Sequence, residues 1–414
     1  MAGLPLRLAG LPDIPAVRRW AWGAVVDSLG TGLMLPLGII YFTQVVKLPP
    51  VMVGLAMSVA GITGVALVPV VGALVDRLGV KPTAITAFAC AAAGTAGYLV
   101  VDGVALLIPA VVLAQLADTA GRPVKQAFMA QIAEGEARSK LMAFNRSVRN
   151  AGYGVGGLLA AGVLAIGTRE AYLVAIALDA LTFATAAVLV ATIAVPAVRP
   201  PAKDDAEAGT GYREVLADWR YVCLAGLNGV VLLHAHAFLV GMPLWLVEHT
   251  SVPQAMAGVL FTANTVMVVL FQVRAAKGLA GPADVGPTYR RAALAFAAAA
   301  GAYILAHFTS VAVAIAAMAV AVVMHTIAEL LASAGEWTVC TGLAPERLRG
   351  RYLAVYALGD AAEKAIGSLL ITFLLTNAGW AGWLVLSLLV SGAALLSGRL
   401  AVRHPRLKPV EVSG

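Results

Sequence analysis

The chain has 414 residues, of which 60% are hydrophobic and only 12% charged, with a net charge of +7 and a mean hydropathy of +0.87. A water-soluble domain carries about 25% charged residues, so this composition excludes a soluble globule. The lack of ~10-residue alternating segments excludes a transmembrane β-barrel. The excess positive charge does not point to nucleic acid, because it sits in alternate connections between apolar runs.

Met1 to Arg19 is polar and contains prolines, and the apolar segment behind it continues for a full span. It is therefore expected to act as an uncleaved signal anchor. Apolar runs long enough to cross ~30 Å of hydrocarbon follow at 20–46, 51–75, 83–101, 104–121, 142–167 and 171–196. A polar stretch with Pro200, Pro201, Lys203, Asp204 and Asp205 interrupts them, and six more runs lie near 220–247, 254–275, 290–307, 310–333, 352–376 and 380–401. This pattern predicts an all-α integral membrane protein of 12 transmembrane helices. An N-terminal six-helix bundle (1–198), a linker (199–218) and a C-terminal six-helix bundle with a short tail (219–414) are expected.

The odd connections carry Lys47 and Arg169 as their only bases, whereas the even ones carry Arg77, Lys81, Arg138, Lys140, Arg199, Lys203, Arg290, Arg291, Arg347 and Arg349. Positive charge stays on the cytoplasmic side, so both termini and the linker are expected there, in a cell (inner or plasma) membrane. An even number of spans satisfies this. The halves also resemble each other. At an offset of 211 residues Asp118 meets Glu329, Arg138 meets Arg349, Lys140 meets Arg351, and Gly156 meets Gly367. Parallel repeats of this kind build transporters whose site lies near mid-membrane.

Between the second and third runs the chain reads Gly72-Ala73-Leu74-Val75-Asp76-Arg77-Leu78-Gly79-Val80-Lys81. This resembles the loop signature of the major facilitator superfamily, G-x-L-x-D-R-x-G-R-[RK], with Val80 in place of a base. Gly79 permits a tight turn between helices, and the resemblance implies that Gly72, Asp76, Arg77, Gly79 and Lys81 form a conformational latch. Gly152 to Gly157 is similar to the glycine-rich fifth-helix motif of proton-driven antiporters, G-P-x-x-G-G, although Tyr153 replaces the proline. Gly152, Gly156 and Gly157 are expected to present a smooth face for close helix contact. Leu178-Asp179-Ala180-Leu181-Thr182-Phe183 looks like a segment common in drug and siderophore exporters of the superfamily. The resemblance implies two six-helix bundles that alternate in access, and a twelve-helix drug/proton antiporter type of activity.

Charges within the apolar runs need a reason, since one at bilayer centre costs at least ~2.5–3.5 kcal/mol on insertion scales. Asp27, Asp118, Glu329 and Glu363 are the proton-coupling candidates. Asp27 is the leading one, and exporters of the superfamily often carry a first-helix acid. The alternative is an Asp27 satisfied by Ser28, Thr31 or a neighbouring helix. Asp118 and Glu329 are expected to face Arg122, Lys125, Arg146 and Arg149 in a charge network, as gate, proton site or plain structure. Asp360 and Lys364 stand one turn apart, an ion-pairing spacing, which would leave Glu363 without a partner. His234, His236 and His325 read as core residues with a lesser prospect of titrating. Trp245, Phe238, Trp337 and Tyr41 read as packing or interfacial aromatics, and Cys90, Cys223 and Cys340 as buried packing residues.

The chain contains neither H-E-x-x-H nor G-x-x-x-x-G-K-[ST], so no enzymatic activity, metal, cofactor or ATP-driven step is expected. The expected partners are a small-molecule substrate, protons and membrane lipid, with no nucleic acid, for a protein that works as a monomer. The favoured reading is proton-coupled efflux of a small amphiphilic or drug-like molecule. Uptake by symport in the same fold remains the alternative, and a membrane enzyme or channel is a more distant one.

Overall fold

Pro15 opens the first helix, where a missing N–H leaves no hydrogen bond unmade. The structure, a computed structural model, describes residues 14–119, 121–133, 135–194, 212–277 and 284–404. The polar segment expected to link the halves lies outside the described residues up to 211. In chain order the helices are α1 (Pro15–Ile40), α2 (Pro50–Leu78), α3 (Val80–Gly97), α4 (Val104–Thr119), α5 (Gly121–Ile132), α6 (Gly135–Ile166) and α7 (Arg169–Ala191). They are followed by α8 (Tyr212–Ala217), α9 (Trp219–His236), α10 (Met242–His249), α11 (Met256–Lys277), α12 (Val285–His307), α13 (Val311–Gly342), α14 (Arg349–Ala378) and α15 (Trp380–Val402). Two π-helical turns interrupt this regularity, Tyr41–Val45 after α1 and Ala237–Gly241 between α9 and α10.

Among the described residues, eight continuous helical segments are long and apolar enough to cross a membrane by length and composition. The short apolar α4, with α5, and the more polar α6, α12 and α14 complete a twelve-helix membrane fold. Several helices outrun their apolar stretches. Helix α6 begins at Gly135 and α13 runs on to Gly342, whereas the hydropathy marks 142 and 333. Hydropathy registers only the hydrocarbon-facing turns. The added turns hold good helix formers such as Arg138 and Lys140, both exposed. For the same reason the stretch 121–132, expected as part of a connection, is helical.

Residues 1–202 together with 254–265 form one compact unit, and 203–253 together with 266–414 form a second. In the first, α1 packs on α6 and α7, α3 on α4 and α7, and α2 on α4. Trp20 stacks on Phe128 with ring centroids 5.1 Å apart, and Phe88 belongs to the same buried cluster. In the second, α9 packs on α14 and α15, and α12 on α13 and α15. Its core is built on tyrosines: Tyr221 meets Tyr352 at 4.7 Å and Tyr356 at 5.7 Å.

Small residues hold equivalent helix pairs together in both units. A Cβ on Gly156 would stand 2.5 Å from the carbonyl carbon of Gly32, and one on Gly152 would stand 2.8 Å from that of Ser28. The backbones of α1 and α6 thus touch. In the second unit a Cβ on Gly229 would stand 2.7 Å from the Gly359 oxygen, so α9 and α14 meet in the same way. In lipid, where burial of apolar area drives little association, such close backbone approach supplies much of the attraction. Gly157 serves a further contact inside the first unit. It lies against residues 258–262, and the Thr262 hydroxyl donates to the Gly154 carbonyl at 2.9 Å.

Candidate functional site

Asp27 sits on α1, in the part of the helix that small residues bring against its neighbours. Its Oδ2 accepts a hydrogen bond from Lys125 Nζ of α5 at 3.2 Å, and the two side chains are only 17% and 25% exposed. The ammonium also lies 4.5 Å from the centre of the Phe88 ring, a cation–π contact. Asp27 Oδ1 is buried without a hydrogen-bond partner. Ser28 bonds instead to its own helix, donating to the Ala24 carbonyl at 2.6 Å.

A second carboxyl stands close by. Asp179 of α7 is buried and, with Thr182, lies directly against Gly30 of α1, one turn from Asp27. A side chain at position 30 would collide with both. The Thr182 hydroxyl donates to the Asp179 backbone oxygen at 2.7 Å and to its Oδ1 at 3.4 Å. Asp27 and Asp179 are near enough to repel each other. Asp27, paired with Lys125, and Asp179 thus lie within one turn of α1.

The second unit has its own buried charge. His236 closes α9 at the start of the π-helical turn, and its Nδ1 is bonded to Glu363 Oε1 of α14. A π-turn shifts the helical register, and such turns recur at functional sites. Gly367 makes the room: a Cβ there would stand 2.8 Å from His236 Nδ1. Asn228 Nδ2 donates to Glu336 Oε1 of α13 at 3.1 Å, and Glu336 in turn repels Asp360. His325 and His234 are buried side by side with ring centroids 5.6 Å apart, and His325 Nε2 is 3.0 Å from the His234 carbonyl oxygen. Neither Nδ1 has a partner.

The loop between α2 and α3 completes the set. Gly79 has φ +90° and ψ 164°, a conformation open almost only to glycine. Its N–H donates to the Val75 carbonyl at 2.8 Å, and its own oxygen accepts from the Thr83 hydroxyl at 2.8 Å. Gly79 thereby ends one helix and starts the next. Asp76 and Arg77 are exposed on the last turn of α2.

A family model described as Major Facilitator Superfamily matches residues 20–362. The chain belongs to the Major Facilitator Superfamily. The solved nucleoside transporter NupG superposes with a TM-score of 0.74 at 12% identity, over 94% of this chain and 98% of that one. A mutant of the peptide transporter POT in complex with alafosfalin gives 0.70 at 15% identity, over 97% of each chain. A POT family transporter in complex with 5-aminolevulinic acid gives 0.70 at 12% identity, over 92% of this chain and 94% of that one. No match is found among the curated proteins. At these identities the structural likenesses show the fold. Membership of the superfamily marks the chain as a transporter.

Within this superfamily fold the sequence-derived candidates separate. Asp27 and Lys125 come together. The side chains of Asp118 and Arg122 lie outside the described residues. Glu329 is half-buried in α13 and engaged by neighbouring groups. Arg146 and Arg149 are both exposed on α6, three residues apart on one side. Asp360 and Lys364 form no ion pair with each other, against expectation. Glu363, expected to lack a partner, is the residue that has one.

Other expectations need similar correction. His236 is an ion-pair partner, and buried His234 and His325 each leave a ring nitrogen unbonded. Of the three free cysteines, Cys340 is buried, Cys90 is half-buried and Cys223 is exposed. Tyr41, Phe238 and Trp245 are packing residues, whereas Trp337 is 71% exposed. Asp179 entered the sequence reading only as part of a hexapeptide, and Glu336 and Asn228 not at all. An acid within an apolar run is the signal for Asp179, whereas Glu336 lies just beyond the run at 310–333.

Proposed function

We propose that this superfamily member is a proton-coupled secondary transporter of the inner membrane, with both termini cytoplasmic, and that it exports a small amphiphilic molecule by alternating access. The observation that carries this reading is the Asp27–Lys125 ion pair beside Asp179. Asp27 is paired with one ammonium and stands beside a second acid, Asp179. A proton arriving on Asp27 releases Lys125, which is then left to Asp179. Charge is redistributed between α1, α5 and α7 without a bare ion being left in the membrane. Such a redistribution gives the proton a differential effect on two conformations, as any coupling ion requires. The 178–183 segment and the glycine-rich 152–157 stretch are the features that favour export, through their likeness to exporters and proton-driven antiporters.

The test uses inverted membrane vesicles that maintain an inward-acid pH gradient, with compounds first found by growth protection of an expressing strain. An exported compound should dissipate the gradient in vesicles holding the wild-type protein and leave it intact with Asp27→Asn. Undiminished, compound-dependent proton release through Asp27→Asn would defeat the coupling role. Proton flux accompanying the compound in the same direction would replace export with uptake.

A further inference from the structure

Helix α14 spans 30 residues, and Lys364 stands near its middle, roughly 20 Å from either end at ~1.5 Å per residue. The neighbouring Glu363 is paired with His236, but among the described residues Lys364 has no ion pair and no hydrogen bond. Asp360, one turn earlier, has none either and is instead repelled by Glu336, whose hydrogen bond comes from Asn228. Both residues are half-exposed. An isolated ammonium and an isolated carboxyl therefore project from one turn at membrane depth.

The side they project from is not the lipid side. Leu358, Ile366 and Phe373 of the same helix are 62%, 54% and 52% exposed, as lipid-facing residues are. Residues two apart lie ~200° apart around a helix, so Asp360 and Lys364 stand nearly opposite Leu358 and Ile366. Ala357, two turns before Lys364 on its own side, is exposed. Unpaired ions in such a place face a water-accessible cavity.

From these observations we infer that Asp360 and Lys364 recognise a zwitterionic cargo, Lys364 receiving its carboxylate and Asp360 its ammonium. Side chains one turn apart have Cβ atoms about 5–6 Å apart, a separation that suits opposite charges a few bonds apart in one small molecule, as in an amino acid or a short peptide. A purely cationic cargo would leave Lys364 uncompensated, and a purely anionic one would leave Asp360 and Glu336 repelling each other. The inference rests on the transporter reading above, which supplies the cavity.

The experiment follows thermal unfolding of the purified full-length protein in detergent with a panel of amino acids and dipeptides. Each is compared with its N-acetyl derivative, which keeps only the anion, and its amide, which keeps only the cation. Some free zwitterions should raise Tm, and their two derivatives should not. Lys364→Gln and Asp360→Asn should each weaken that effect about tenfold or more in apparent affinity, as losing a hydrogen bond to a charged group does. Unliganded, both variants should unfold no earlier than the wild type, because each removes an uncompensated charge. Stabilisation by the amides or N-acetyl compounds alone, by no member of the panel, or equally in Lys364→Gln would overturn the inference. Flux in reconstituted vesicles is measured separately: zwitterion binding without proton-driven flux removes the coupled-transport reading and leaves the binding site intact.

Discussion

Lys125 reaches Asp27 across 98 positions of sequence, its ammonium 3.2 Å from the carboxylate and resting over the Phe88 ring. Lys125 is carried by α5, which lies beyond the apolar run, so the pair forms because this stretch is helical. Removing one member of a fully buried pair costs ~3–5 kcal/mol, because the other is left uncompensated.

This pair is partly exposed, so Lys125→Met should lower stability by less, about 1–3 kcal/mol. The double variant Asp27→Asn/Lys125→Met should recover most of that loss while remaining unable to couple flux to a pH gradient. Thermal unfolding of the two single variants and the double, arranged as a cycle, measures the interaction. Strictly additive effects would mean that the two residues do not interact.

The second prediction concerns Gly367, the counterpart of Gly156 at an offset of 211 residues. In the first unit this glycine admits a neighbouring backbone. In the second its equivalent admits the His236 ring. Gly367→Ala places a Cβ 2.8 Å from Nδ1 and should displace the imidazole from Glu363, whereas Gly226→Ala, with open space around it, should leave the pair intact. Titration of the histidine by NMR, in protein labelled at that residue type, should report a changed environment only for the first. An unshifted His236 signal in Gly367→Ala would show that the ring does not depend on that space.

The architecture was readable because its cause is local: runs of about twenty apolar residues, a glycine turn, and bases in alternate loops. The pairings were not, because they depend on which face of each helix turns inward. Asp360 and Lys364 have ideal helical spacing yet do not pair, since Glu336 and an open side of α14 compete with that local preference. Lys125, expected in a charge network facing Asp118 and Glu329, bonds to Asp27 of α1. Glu363 has His236 as its partner because a π-turn and Gly367 bring the ring across. Neither cause can be read from periodicity.

Gly79 and Gly72 belong to one motif but should respond differently to a methyl group. Gly79→Ala forces a side chain into φ +90°, and such backbone costs about 1–3 kcal/mol. A Cβ on Gly72 meets nothing within 4 Å, so Gly72→Ala should leave the unfolding temperature unchanged or slightly raised. Any loss of transport by Gly72→Ala then belongs to the working cycle and not to folding. Equal unfolding temperatures for both variants would count against the strained turn.

A last contrast tests the contact between α1 and α6. Gly156 and Gly162 lie on the same helix, yet a Cβ on the first would stand 2.5 Å from the Gly32 backbone, while one on the second meets nothing within 4 Å. Backbone cannot swing aside as a side-chain tip can, so Gly156→Ala must separate the two helices. It should destabilise by the ~1–3 kcal/mol typical of overpacking. Gly162→Ala should instead gain a few tenths to ~1 kcal/mol, because alanine loses less backbone freedom in a helix than glycine. Separating α1 from α6 also moves Asp27, which rides on α1 next to Ser28 and five residues before Gly32, relative to Lys125. Gly156→Ala should therefore weaken proton-driven flux more than its effect on protein yield explains. If it fluxes normally per folded molecule, the α1–α6 seam supports the fold without positioning the ion pair.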